Sequence, residues 1–362
     1  MPEKIHRLDA LKDRQQRIAG GGGRTRRQFT HTYDDIISVE NLLAAWQEFR
    51  RGKRSKHDVL MFQRDLIYHI NALHADLKKG TYRHGGYEHF RISDPKPRDI
   101  HKASVRDRLL HHALYRILYP YFDRTFISDS YSCRKGKGTY KAINRFREYA
   151  YKVSKNHTRT CWVLKCDIRK FFTSIDQGIL LDIIARFIPD ERIRTLIAEV
   201  VSSFSSDIPR FNLGMRGLPL GNLTSQLLVN IYMNEFDQYV KHVLKAKHFV
   251  RYADDFVFLS RDRKYLERTL SHIKVFLKDR LNLDMHPDKV FIKSFASGVD
   301  FLGWVHFADH RVLRTATKRR LLKAMASDPS KATVESYRGL LSHGNARKLE
   351  HRARSTQHVV IE

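Results

Sequence analysis

Phe249-Val250-Arg251-Tyr252-Ala253-Asp254-Asp255-Phe256-Val257-Phe258-Leu259 sets two adjacent acids between apolar runs rich in Val and Phe. The pattern predicts a β-hairpin with the acids at its tip. Two ionised carboxylates side by side repel one another, so a turn that holds both calls for a cation close by. Hard oxygen donors favour Mg²⁺, which uses few protein carboxylates and fills its shell with water and phosphate. Most Asp-Asp pairs are solvated loops, and it is the flanking sequence that gives this one its weight.

Upstream lies Cys161-Trp162-Val163-Leu164-Lys165-Cys166-Asp167-Ile168-Arg169-Lys170-Phe171-Phe172. An apolar strand closes on a single acid, followed by a basic pair and two aromatics. An acid ending a buried strand needs a cap, a counter-charge or a metal. Asp167, Asp254 and Asp255 therefore predict three carboxylates on two neighbouring strands. Two metal ions about 3.5–4 Å apart use such a set for phosphoryl or nucleotidyl transfer. The bland alternative is a surface acid cluster.

The chain resembles the reverse transcriptases at these residues, and the resemblance runs from about 33 to 350 with its motifs in order. Phe90-Arg91-Ile92 through Lys96-Pro97-Arg98, with Arg106-Asp107-Arg108, is similar to the first fingers motif, and Ser130 through Gly138 to the second. The strand ending in Asp167 matches the first palm motif. Gly217-Leu218-Pro219-Leu220-Gly221-Asn222-Leu223-Thr224-Ser225-Gln226 matches the next, and the Tyr252 hairpin follows. Leu281-Asn282-Leu283 to Lys289 and Phe301-Leu302-Gly303-Trp304 complete the palm. Intron-type enzymes carry Gln before the glycine and Ser-Pro after it, whereas here Leu220 and Ser225-Gln226 stand there. That departure resembles the enzymes of diversity-generating retroelements, which copy a template RNA with frequent errors opposite adenine. Ser130–Gly138 and Ser336–Asn345 point the same way.

The resemblance implies an α+β right-hand polymerase fold: a flexible basic arm at 1–32, fingers at 33–157, a palm at 158–310 with part of the fingers inserted, and a helical thumb at 311–362. It implies two Mg²⁺ ions on Asp167 and Asp254, a looser contact from Asp255, and the Ile168 carbonyl completing one shell. Lys96 and Arg98 would meet the incoming triphosphate, generic RNA-backbone contact being the alternative, and an Arg there suits phosphate geometry. Lys289 would stand near the leaving pyrophosphate as a general acid; a solvated lysine on a turn is the alternative. Phe172 would lie beneath the sugar and exclude a 2′-hydroxyl, with core packing as the alternative. Strand alternation makes Phe171 the better core residue. Leu220 offers only apolar contact where Gln could test pairing geometry, and Gly221 would allow close backbone approach to the nascent pair.

Composition agrees with a polyanion partner. The 67 Lys+Arg against 39 Asp+Glu give a formal charge of +28, and phosphate contacts would make binding strongly salt-dependent. A generic RNA-binding protein shares this feature. Cys133, Cys161 and Cys166 have no paired spacing, so neither a disulfide framework nor a zinc knuckle is expected. No secretory signal or long apolar span is evident, so a cytoplasmic location is expected. Gly20–Gly23 and the arginines after it read as a flexible arm rather than a phosphate loop. Periodicity predicts two helices over 36–80 joined by Arg50–Lys56, and further helices at 176–187, 191–204, 223–244 and from 316 onward.

The expected activity is RNA-templated DNA synthesis. Its competitors are an intron-like or antiphage-defence reverse transcriptase of ordinary fidelity, and a catalytically silent RNA-binding scaffold. By resemblance, the partners are template RNA, the cDNA/RNA hybrid, deoxynucleoside triphosphates and a small basic accessory protein forming a pentameric barrel. The C-terminal stretch leaves no room for an RNase H or endonuclease domain, so those steps are expected from another protein.

Overall fold

The computed structural model describes residues 28–92, 97–204, 215–327, 329–349 and 351. The basic arm up to residue 27 and Lys96 lie outside the described residues. Among the described residues, chain order begins with four helices, α1 (Tyr33–Ile37), α2 (Val39–Phe49), α3 (His57–Arg64) and α4 (Leu66–Lys79), where periodicity over 36–80 predicted two. Two residues make the difference. Ser38 leaves helical geometry at ψ 144° and its hydroxyl accepts from the Asn41 amide, ending one helix while capping the next. Asp65 (φ −113°, ψ 35°) divides the second pair. The apolar period continues across both breaks because both halves pack on the same core.

Hairpin β1 (Tyr87–Ile92) and β2 (Arg98–Ala103) leads into the long helix α5 (Val105–Phe122) and then α6 (Thr139–Val153). Strand β3 (Trp162–Asp167) follows, then a helical turn α7 (Phe171–Ser174), α8 (Gln177–Ala185) and α9 (Glu191–Ser202). Helix α10 (Leu223–Gln238) runs on into a π-helical turn at Tyr239–Val243. Strands β4 (Phe249–Tyr252) and β5 (Asp255–Ser260), helix α11 (Arg263–Leu281) and strand β6 (Phe291–Ser294) complete a central antiparallel sheet of order β4-β5-β3-β6. A small meander of β7 (Val299–Phe301), β8 (Trp304–His306) and β9 (Arg311–Leu313) then carries α12 (Thr315–Ala326) and α13 (Lys331–Leu341).

The central sheet is covered on both faces, which is why its strands read as near-continuous apolar runs. Leu164, Cys166, Phe249, Phe256 and Phe258 enter the main core, which α10 and α11 share. The alternate residues Val163, Val250, Val257 and Leu259 pack against Phe146, Tyr149 and Val153 of α6. A third cluster around Trp304 joins Ile143 to Leu321, Met325 and Leu341 of the C-terminal helices. A β-carbon on Gly344 would run into the Trp304 indole, so only glycine lets that segment close on the ring. The result is an α+β right-hand polymerase architecture. The three cysteines are free, and among the described residues no helix is long and apolar enough to cross a membrane.

Two core histidines are held neutral. Burial pushes His111 and His306 each down to about 3, while an unfolded His titrates near 6.5. Below about pH 6.5 the unfolded chain therefore binds protons that the folded chain refuses, so stability is full above that pH and falls as pH drops toward 3. Followed by NMR from pH 7.5 down to pH 4.5, both imidazoles should keep their neutral-form chemical shifts. Protonation of either ring near pH 6.5 would mean that it titrates freely in the fold.

Candidate active site

The hairpin forms as its pattern predicts, with one refinement. Ala253 and Asp254 make the turn, while Asp255 is already the first residue of β5, paired with Tyr252 across the hairpin. Ala253 sits at φ +55°, a left-handed conformation costing about 1–2 kcal/mol for a residue with a β-carbon. What holds it is Arg251. Its guanidinium has no exposure to water, and Nη1 donates to the Ala253 carbonyl at 3.1 Å. Nε and Nη2 fork onto Asp237 of α10 at 2.7 and 2.6 Å, and Nη2 also donates to the Ser130 hydroxyl at 3.0 Å. The Arg251 amide and carbonyl bond the backbone of Asp129 and Tyr131.

The β3–β5 register sets Asp167 directly opposite Asp255, with Asp254 one residue away in the turn. The Ile168 amide donates to the Asp254 carbonyl at 3.2 Å, and the Asp167 carbonyl accepts from His286 at 2.8 Å. Three backbone segments are thereby stitched together behind the acids. Burial raises Asp254, and the Asp167 charge raises it further against Lys289 and Arg98. Burial pushes Asp255 up to about 7, opposed by Lys165 and reinforced by Asp254 and Asp167.

Each of two acids already has a cation. Lys289 Nζ lies 3.0 Å from Asp167 Oδ1, and Lys165 Nζ lies 3.4 Å from Asp255 Oδ2. Among the described residues no group of three or more His, Cys, Asp or Glu is gathered as a metal site. Asp255 is ion-paired to a lysine that is itself buried in β3. Its Oδ1 is buried with no hydrogen-bond partner among the described residues. The donor chemistry of Asp167 and Asp254 still fits Mg²⁺, which takes one or two carboxylates and completes its shell with water and phosphate.

The other sequence-predicted residues are distributed around this corner. Arg98 opens β2, exposed, within electrostatic reach of Asp254. Phe171 is buried as expected, but through the helical turn α7 rather than strand alternation, and Phe172 stays half-buried against the core. The Phe172 carbonyl accepts from the Leu218 amide at 2.9 Å, tying the Gly217–Gln226 segment to that turn. Leu220 is half-buried, and its carbonyl accepts from the His101 amide of β2 at 3.1 Å. Gly221 has φ +115°, and a β-carbon there would stand 3.0 Å from Ile100 Cγ2. The close approach that the glycine permits in this structure is thus to β2. Sequence reasoning passed over Lys165 and Arg251, although each is a lone charge inside an apolar run, a pattern that predicts a buried partner.

A protein-family model described as reverse transcriptase (RNA-dependent DNA polymerase) matches residues 92–306. Protein YkfC of Escherichia coli is 25% identical over 303 residues, covering 74% of this chain and 77% of that protein. The group II intron-encoded protein LtrA of Lactococcus lactis is 21% identical over 316 residues, covering 69% of this chain and 51% of LtrA. A structure of apo telomerase from Candida tropicalis superposes with a TM-score of 0.48 at 10% identity, over 62% of this chain and 48% of that one.

The Arg251 fork makes a sharp expectation. Arg251→Met leaves Asp237 a buried, unpaired carboxylate and should cost about 3–5 kcal/mol in denaturant unfolding, with much of the loss recovered by adding Asp237→Leu. A single variant with the parental midpoint would show that the pair does not anchor the hairpin.

Proposed function

The chain belongs to the reverse transcriptase (RNA-dependent DNA polymerase) family, and on that premise we propose that its acid corner extends a DNA 3′ end against an RNA template. The observation that carries this reading is the meeting of Asp167, Asp254 and Asp255 at one end of a β-ladder, with Lys289 on Asp167 and Arg98 within reach of Asp254. Enzymes of this family use divalent metal ions. Two Mg²⁺ held by Asp167, Asp254 and the Ile168 carbonyl would neutralise charge on the attacking and departing oxygens. Asp255, tied to Lys165, supports the corner and stiffens β5 beside the turn. Arg98 receives the triphosphate, joined by Lys96 on the strength of the family resemblance. Lys289, moving from Asp167 to the departing pyrophosphate, serves as general acid. Phe172 underlies the sugar and selects deoxynucleotides by steric exclusion. In this reading residues 33–157 are fingers, 158–310 the palm with part of the fingers inserted, and the helices that follow β9 a thumb.

The finer reading is an enzyme of the diversifying kind, error-prone opposite template adenine and working with the small basic barrel protein. It rests on Leu220 and Ser225-Gln226 in place of the intron-type residues. Leu220 has only an apolar side chain to offer a mispair, while its backbone is fixed to β2. The similarity to LtrA favours the second reading, an intron-like enzyme of ordinary fidelity.

Primer extension by the purified protein on mixed-sequence RNA with Mg²⁺ tests both levels. Asp254→Asn should lower extension about 10³-fold or more, the weight of several kcal/mol of lost charge stabilisation, without weakening hybrid binding. Undiminished synthesis by that variant would remove the acid corner as the site. In sequenced cDNA, Leu220→Gln should lower errors opposite adenine about tenfold, the weight of one added hydrogen bond. Uniformly low error in the parent would leave the polymerase standing and select the intron-like reading.

A further inference from the structure

A cleft of about 510 Å³ opens at the opposite end of the central sheet from the acid turn, between the loop after α6, the loop before β4 and the end of β5. Along β5, Asp255 to Ser260 spans about 17 Å at the usual rise per strand residue. Nothing in the cleft therefore touches the acids. Its rim carries Lys155, Lys245, Lys247 and Arg261, all exposed, and none of the four makes a salt bridge among the described residues. A fifth cation, Lys152, is already held by Glu148. The one acid of the lining, Asp262, is engaged, since its carboxylate caps the Tyr265 amide at 3.1 Å and lies 3.6 Å from Arg268.

Two further features mark this rim as built. Lys155, Asn156 and His157 take left-handed backbone in succession, with φ of 49°, 60° and 66°, and Lys245 across the cleft does the same at 50°. Strained non-glycine backbone of this kind persists only where surrounding bonds impose it, and it concentrates at functional sites. Here the Asn156 amide donates to Tyr151 and the Arg159 amide to Ser154, fixing the first loop, while the Ala246 amide donates to Val240 and fixes the second. The walls are apolar and aromatic, with Phe258 buried and Tyr265 half-exposed. Unpaired cations above an aromatic wall suit a sugar-phosphate backbone with a base laid against a ring.

We propose that this cleft is a second RNA-binding site, which grips template RNA outside the hybrid being copied. The choice of RNA as the occupant rests on the polymerase reading; the charge complementarity does not. The site separates holding a long template from positioning its copied end, so the two can be lost independently.

The test compares the intact protein with a variant in which Lys155, Lys245, Lys247 and Arg261 are all replaced by Ala. Binding of a long hairpin-containing RNA and of a short primer–template hybrid is measured from 50 to 200 mM salt. Four lost phosphate contacts should cut the salt slope for the long RNA by about three and weaken binding at least tenfold. Binding and extension of the short hybrid should stay within twofold. In the parental protein, the long RNA should slow acetylation of Lys155, Lys245 and Lys247, a readout that needs no variant to fold. Unchanged affinity for the long RNA, or an equal loss on the short hybrid, overturns the proposal. Protection of these lysines by polyglutamate but not by RNA overturns it in favour of an acidic protein. Absence of extension by the parental protein would sink the polymerase reading instead, while the binding and acetylation measurements still decide the cleft.

Discussion

Arg251 carries a full positive charge with no access to water, opposite an Asp237 carboxylate equally enclosed. Taking both out of solvent costs several kcal/mol per ion, and their attraction offsets this only when the remaining polar atoms find partners. Here they do, because the guanidinium spreads its donors over Asp237, Ser130 and the Ala253 carbonyl. One side chain thus joins α10, the segment before α6 and the turn that carries Asp254. The left-handed Ala253 stands on this joint. Without the fork, a strained turn between two short strands would have no reason to hold one geometry.

Around that anchor the molecule gathers negative charge at one corner and balances it locally. Burial and mutual repulsion raise Asp254 and Asp255. Three cations answer: Lys165 within the sheet, Lys289 from the turn after α11, and Arg98 from β2. They differ in exposure, and exposure separates their roles. Lys165 is buried and stays with Asp255 as part of the frame. Lys289 and Arg98 face solvent, Lys289 paired to Asp167 and Arg98 within electrostatic reach of Asp254. The same logic in reverse describes the far end of the sheet, where cations stand unpaired and the acid among them is engaged.

Much of the site was legible in the chain because it is written in short-range pattern. The hairpin shows itself as apolar runs interrupted by two acids, and Asp167 as an acid closing a buried strand. The misreadings have physical causes as well. Two helices were expected over 36–80 because apolar spacing continues across Ser38 and Asp65, whose breaks lie in backbone angles and a capping hydroxyl. Phe171 was assigned to the core by strand alternation and reached it by a helical turn that begins after Lys170 at φ +46°. Lys165 and Arg251 were passed over because nothing along the chain shows which buried partner a lone charge will meet.

The sequence by itself determined the apolar periods, the turn with its acids, the strongly basic balance and the order of motifs that marks the family. These depend on neighbours a few residues apart, and local sterics and hydrophobic spacing suffice to set them. Tertiary structure alone decided which charge answers which. Asp167 meets Lys289 across 122 residues, and Arg251 meets Ser130 across 121. Pairings at that separation arise only when packing of the two sheet faces brings distant segments into contact, because electrostatic preference is too short-ranged and too easily satisfied by water to be read from the chain.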